Sequence, residues 1–496
     1  GNRDNGAHYE YLPCFANHPI PMEVVELADQ LLTDLNYMVD VHLSVFQAMI
    51  VLFLYRLSAP EEEVFNDSVD PGIFFVLIVE MAKSLYINQD TIYTRTWGEK
   101  QENPSLSNYY RRTWRFLASL SVFVCCFFSN NLTIIPKDSN LLLPQIIPGD
   151  PNEDNDLSSA IVVATPVISA CQIICEKTFP LEASIPMGNL IDMLDNLELV
   201  LLNTFGRISD YFYTFTEEDG FAKLYKFLTL VQVKCVILIY YYAFYLHYDT
   251  SGQWNKSSYF GRKLLEISGV DLACMQKGFV LKCEEYFGVG SWLTLLPTFL
   301  ISNRLQMVTF RIRIRLACSI LHLSRMPFEV ETERRINAMR CILEAVLKME
   351  NQSLAFIGRL SRYQTCAWWW FKSCLYGRRV VLNMENSPDF KYTEEVLCRF
   401  STEELEEWTK ATESSDKASR TLKIKFRTNH DVEEPLEDEL LSLIQTSQTD
   451  KMWHGVGFVK KFYLERRFEN TLYGGFNESN AHGESYTFKE FKHPEF

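Results

Sequence analysis

Five consecutive positions, Arg111-Arg112-Thr113-Trp114-Arg115, carry three guanidiniums and an indole, and an apolar run (116–128) follows at once. A guanidinium is a planar fork of donors matched to phosphate and carboxylate. The stretch is therefore open to a nucleic-acid grip, a membrane segment or a helix sunk into a core. On a helix Arg111 and Arg115 lie one turn apart, while Trp114, Leu117 and Ser121 face another way. This predicts a charged rim that bonds loop carbonyls or acids while Trp114 packs inward. A second set, Arg304, Arg311 and Arg315, is spaced seven and four, on one helix stripe. It reads as a solvated or intramolecular ion-pair face, or as a docking surface for an acidic partner or a DNA backbone. The third set is "CAWWWFKSCLYGRR" (366–379). Successive helix positions turn by about 100°, so Trp368, Trp369 and Trp370 do not share one core face. With Arg378 and Arg379 just beyond Gly377, they form a candidate protein interface.

Catalytic and metal chemistry finds little footing. Cys171 and Cys175 are one turn apart, but no second Cys or His pair stands near them in the sequence at zinc spacing. Among the 13 cysteines, Cys125, Cys126, Cys235, Cys318 and Cys341 sit inside apolar stretches and read as buried, reduced thiols. No cofactor is expected in this chain. His42, His247 and His322 lie within or beside apolar helices, as core or rim residues. "GVGS" (288–291), "GVGF" (455–458) and "YGGF" (473–476) lack the frame and the lysine of a phosphate loop. The acidic pairs Glu403-Glu404 and Glu406-Glu407 read as solvated helix faces. The chain reads as a non-enzyme, with an unrelated all-helical enzyme as one alternative.

These residues need helices to hold them. Phe and Tyr are abundant (35 and 24), Gly is scarce (21), and hydrophobic residues make up 47% of 496, which suits packed helices. The net charge of −15 argues against wrapping nucleic acid unaided. The apolar run after Arg115 is too short for a bilayer, which needs roughly 20 residues. The run 227–246 is long enough, but it contains Gln232 and Lys234 and its tyrosines cluster in one half; both read as buried helices, not membrane spans.

Along the chain, 1–22 reads as irregular. "MEVVELADQLLTDLNYMV" places Val24, Leu27, Leu31 and Leu35 on one stripe of an amphipathic helix. Helices follow over 42–59, 72–87 and 107–128, with an acidic loop after the first of these. The polar stretch 141–159 reads as a Pro-rich linker, and long helices dominate from about 160 to 380. The expected organisation is a first helical half (23–150), a second half (151–384) and a C-terminal extension (385–496), acidic and then aromatic and basic. The fold class is mostly α.

The order of segments in 42–150 resembles the regulatory middle homology region of fungal zinc-cluster (Zn2Cys6) transcription factors. "FQAMIVLFLY" (46–55), with Gln47, stands for the family's first apolar helix. "MAKSLYINQD" (81–90), with Ala82 and Leu85, stands for a helix ending A-x-x-L-G-L-H-R-D. "YYRRTWRF" (109–116), with Arg111, Arg112 and Trp114, stands for R-R-x-x-W-W, and "LLLPQ" (141–145), with Pro144, for the closing Leu-Pro. The family's second Trp is here Arg115, its Asp is Ser121, and its rigid Gly-Arg-Pro turn is Ser129-Asn130-Asn131. Two shorter stretches, "CEKTFPLEASIPMGNLIDMLDNLE" (175–198) and "LCRFSTEELEEW" (397–408), are similar to segments of the paired zinc-cluster subunits of the yeast RSC chromatin remodeller.

The resemblance implies a large multi-helix regulatory domain in a nuclear protein that regulates transcription. Its finer form implies a scaffold and DNA-targeting subunit of a chromatin-remodelling complex, paired with a sister zinc-cluster subunit among other nuclear subunits. The alternative within the family is a stand-alone, ligand-responsive factor. The family's C-x2-C-x6-C cluster does not occur in these 496 residues. The expectation is that zinc, and the contact with DNA, belong to a segment preceding Gly1.

Overall fold

The computed structural model describes residues 22–36, 41–58, 71–90, 104–128, 131–148, 151–179, 185–216, 220–271, 279–361, 367, 370–378 and 399–413. Among these the structure is helical, with 3-10 turns and one π-helical turn and no strand. In chain order the helices are α1 (Met22–Asp34), α2 (Leu43–Ser58), α3 (Pro71–Ser84), α4 (Pro104–Phe128), α5 (Asn152–Thr178), α6 (Met187–Phe205), α7 (Gly220–Thr250), α8 (Trp254–Glu266), α9 (Phe279–Phe287), α10 (Trp292–Ser324) and α11 (Val330–Leu360). Two further helices are α12 (370–378) and α13 (402–413).

α7 is the axle. Residues 222–241 are buried almost without a break, and a helix apolar all round is stable in water only when other helices enclose it. α5, α6, α8 and α10 pack around it, and α4 touches it as well. Its two polar intruders have partners. Lys234 pairs with Asp271, in the π-helical turn after α8, at 2.9 Å. Gln232 accepts from the Ser119 hydroxyl at 3.1 Å and donates to the Ser119 carbonyl at 2.5 Å. Two described helices, Asp154–Thr178 and Phe221–Thr250, are long and apolar enough to cross a membrane; most of the second is buried inside the protein. α10 and α11 form an antiparallel pair beside this centre, and α2, α3 and α4 form a smaller group that joins it through α4 against α5 and α7 and through α2 against α10. There Phe53 stacks on Phe74 and meets Phe75 at a tilt.

Three expectations change. The stretch 141–159 is not a free linker. α5 begins at Asn152, and Leu141 and Pro144 are buried, because the segment before the helix is tied to the body by side-chain hydrogen bonds. The stripe of α1 does not face the core. Val24, Leu27, Leu31 and Leu35 are exposed, and Leu32 is the buried anchor, with Asp29 ion-paired to Arg56 of α2. Third, part of the expected C-terminal extension belongs to the folded body. α13 inserts Trp408, fully buried, and its indole Nε1 donates to the Ser258 carbonyl of α8 at 2.9 Å. Gly261 on α8 makes room, since a β-carbon there would collide with the Trp408 ring. Residues 1–21 and 414–496 lie outside the described residues, as do the acidic loop 59–70 and "GVGF" and "YGGF".

Candidate functional site

The residues that carry the family resemblance meet around one irregular segment, 131–148. Such a segment cannot satisfy its own backbone groups, and buried N–H and C=O groups left unpaired are costly. Side chains therefore satisfy them. Asp90, at the end of the turn that follows α3, is buried and accepts from the Arg111 guanidinium at 2.9 and 3.1 Å. The same carboxylate accepts from the Leu142 N–H at 3.3 Å, and the Asp90 N–H donates to the Asn140 side chain at 3.1 Å. Asn108, one turn before Arg112, donates to the Gln145 carbonyl at 2.8 Å and accepts from its N–H at 2.7 Å. Arg115 donates to the Leu141 carbonyl at 3.2 Å. Burial pushes the Arg115 guanidinium below its ordinary value, against an opposing pull from Tyr225.

The other motif residues lie around this closure or in the core beside it. Arg112 pairs with the Asp154 carboxylate at 2.8 Å and donates to its carbonyl at 3.0 Å, joining α4 to the first turn of α5. Trp114 is buried beneath the arginines, Ala82 is buried, and Leu85 packs against the core. Gln47 is exposed on α2 and donates to the Tyr109 hydroxyl at 2.8 Å. The departure at Ser121 keeps an acceptor: its Oγ receives the N–H groups of Thr133 and Ile134 at 3.1 and 3.0 Å. Chemically the site is a clasp. Most of its donors and acceptors are spent within the chain, on the backbone of 131–148 and on the Arg111–Asp90 and Arg112–Asp154 pairs.

The other candidates are placed differently. Arg304 is half-buried, Arg311 is exposed and Arg315 is buried against Asp249 and the Tyr245 hydroxyl, so the three do not present one exposed stripe. Although burial alone would lower it, the Arg315 guanidinium is raised above its ordinary value by Tyr245 and Asp249. In the tryptophan stretch, Trp370 is half-buried and packs against the core, and its Nε1 has no partner among the described residues. Arg378 is turned inward, donating to Asn351 at 2.8 Å with its Nε 3.9 Å from Glu350, a buried carboxylate that also pairs with Arg313 at 3.0 Å. Gly377 allows this by letting α12 lie against Phe310 of α10. Trp368, Trp369 and Arg379 lie outside the described residues. Sequence reasoning missed the partners rather than the arginines. Asp90 closes a quoted motif, and its pairing with Arg111 was the available signal. Nothing in the sequence linked Asn108 to Gln145, or Trp408 to Gly261.

Over 255 residues, 51% of this chain, the sequence is 22% identical to multidrug resistance regulator 2 of Candida albicans (strain SC5314 / ATCC MYA-2876). The matched stretch is 33% of that protein, so the chain spans about a third of the length of the curated relative it matches. No family model matches the chain, and no solved structure matches it. The chain is thus an all-α protein similar in sequence to a fungal regulator.

Proposed function

We propose that the chain is the non-catalytic regulatory part of a fungal transcription regulator, that it works in the nucleus and that it acts through contacts with other proteins. The similarity to the Candida regulator carries this reading. The clasp supports it, since Asp90, Arg111 and Arg115, from two of the resembling motifs, act together on the segment that ends in the third. DNA contact, and zinc, we assign to a zinc cluster outside these 496 residues, as the resemblance implies. With a net charge of −15, this chain should bind duplex DNA weakly and without sequence preference. Fluorescence anisotropy at physiological salt tests that, and tight, sequence-selective binding would overturn it.

The finer reading is a scaffold subunit of a chromatin-remodelling complex, paired with a sister zinc-cluster subunit. Its support is spatial. The two short stretches similar to the yeast remodeller subunits converge on one helix, α8: Glu198 pairs with Lys263 at 2.9 Å, and Trp408 and Glu407 reach Ser258 and Arg262. The alternative, a stand-alone ligand-responsive factor, fits similarity to a multidrug resistance regulator at least as well. Purification of the tagged protein from fungal nuclei at moderate salt separates them. Stoichiometric recovery of a remodelling ATPase, actin-related subunits and a sister zinc-cluster protein is the expected result. Recovery alone or as a homodimer favours the ligand-responsive factor, and exclusion of the tagged protein from nuclei sinks both.

A further inference from the structure

Three thiols from two helices meet inside the protein. The sulfurs of Cys125 and Cys126 of α4 and Cys175 of α5 all lie within 4.8 Å of one another. Cys126 Sγ and Cys175 Sγ are 3.8 Å apart. Relative exposures are 0% for Cys125, 2% for Cys126 and 0% for Cys175, so bulk water does not reach the group. The scaffold around it is braced. Gln172, one turn before Cys175, donates to the Ile134 carbonyl at 2.9 Å, and Thr178 shares a hydrogen bond of 2.5 Å with Tyr240 of α7. Cys171, also buried, stands one turn from Cys175 but is not among the three.

We propose that Cys125, Cys126 and Cys175 together bind one trivalent thiophilic ion of the arsenite or antimonite class. The number of donors argues first. Zinc in a structural site takes four ligands in a tetrahedron, whereas trivalent arsenic takes three sulfurs in a pyramid with its lone pair as the fourth substituent. Charge argues second. Among the described residues no Lys, Arg or His is hydrogen-bonded or ion-paired to these thiols. Three thiolates on a monovalent or divalent soft cation leave a net negative charge, and an uncompensated buried charge is strongly unfavourable. Arsenous acid avoids that. As(OH)3 and three R–SH give As(SR)3 and three waters. Three As–O and three S–H bonds break, three As–S bonds form, the hydroxyls leave as water with the thiol protons, and arsenic stays trivalent. Neutral reactants give a neutral product, which an apolar pocket tolerates. Arsenous acid is small and uncharged at neutral pH, so local opening between α4 and α5 admits it.

The test uses the whole reduced chain and sodium arsenite as the probe. Native mass spectrometry is expected to show about one arsenic retained per chain, and X-ray absorption at the arsenic edge to show sulfur-only coordination by three atoms. In mild denaturant that opens the core without unfolding the chain, alkylation should reach Cys125, Cys126 and Cys175 without arsenite and spare them with it, while Cys341, which is exposed, is modified either way. Cys175→Ala should cut retention by about tenfold or more, the scale on which perturbed metal sites lose affinity, with Cys341→Ala unchanged. Circular dichroism and melting establish that both variants fold; if Cys175→Ala does not, the protection pattern in the unaltered chain decides alone. Failure to retain arsenic, protection of other cysteines, or a Cys126–Cys175 disulfide that forms in place of binding would each overturn the proposal.

Discussion

The segment 131–148 and helix α13 are both short pieces fastened to a large helical body, and they are fastened in opposite ways. The segment is irregular, so its N–H and C=O groups need partners from elsewhere. Asp90, Asn108, Arg115, Ser121 and Gln172 supply them. α13 satisfies most of its own backbone, so its side chains do the fastening: Leu405, Trp408 and Ala411 are buried, with Gly261 opposite the indole, and Thr402 and Glu406 pair with Glu331 and Arg334 of α11. Irregular backbone is thus held by side chains bonded to its N–H and C=O groups, and a helix by side-chain packing and side-chain pairs. The first kind of fastening leaves a motif in the sequence; the second leaves a Trp and a Gly separated by well over a hundred residues.

The largest expected effect is Asp90→Ala. It strands the buried Arg111 guanidinium and frees the Leu142 N–H, and breaking a buried ion pair costs roughly 3–5 kcal/mol. Denaturant unfolding measures the loss, and limited proteolysis should cut first within 141–148. An equal stability in the variant would mean that the clasp is ornamental. A double variant, Asp90→Leu with Arg111→Met, should recover much of the loss, since removing both charges spares the penalty of an orphan.

Gly261→Ala comes next. A methyl group there invades the Trp408 ring, and overpacking costs roughly 1–3 kcal/mol. Proteolysis at 399–413 should rise while the 131–148 segment stays protected, and Trp fluorescence should shift to the red. Loss of protection at both segments would show that the two fastenings are coupled.

Ser121→Ala is the mildest of the three. It removes the shared acceptor of Thr133, half-buried, and Ile134, buried, a loss of about 1 kcal/mol, at the low end for an amide left without a partner. Hydrogen exchange should quicken at those two amides alone. Unchanged exchange would indicate that another acceptor takes over.

Much of the helical frame was legible because burial imposes a period. The apolar runs at 187–205 and 291–324 coincide with α6 and α10 to within a residue, whereas the periodic run 333–351 falls short of α11 at both ends. The start of α5 was hidden because Asn152-Glu153-Asp154-Asn155 looks like linker sequence, although Asp154 and Asn155 bond Arg112 and Ile147. The α1 stripe was legible as the stripe of an amphipathic helix, and the structure leaves it exposed, because periodicity identifies a face but not what lies opposite it.

By itself the sequence determined the helical class, the buried setting of α4 and α7 and the inward turn of Trp114, since apolar period and length are local properties. It also held the clasp in outline, because Asp90 and the arginines occupy recognisable places in ordered motifs. Only the tertiary structure decided which distant residues meet. It set Arg315 against Asp249, Trp408 against Gly261 and Cys125 and Cys126 against Cys175. The physical reason is that such pairs are fixed by how helices cross in space, and no spacing along the chain encodes a crossing between helices that are far apart in it.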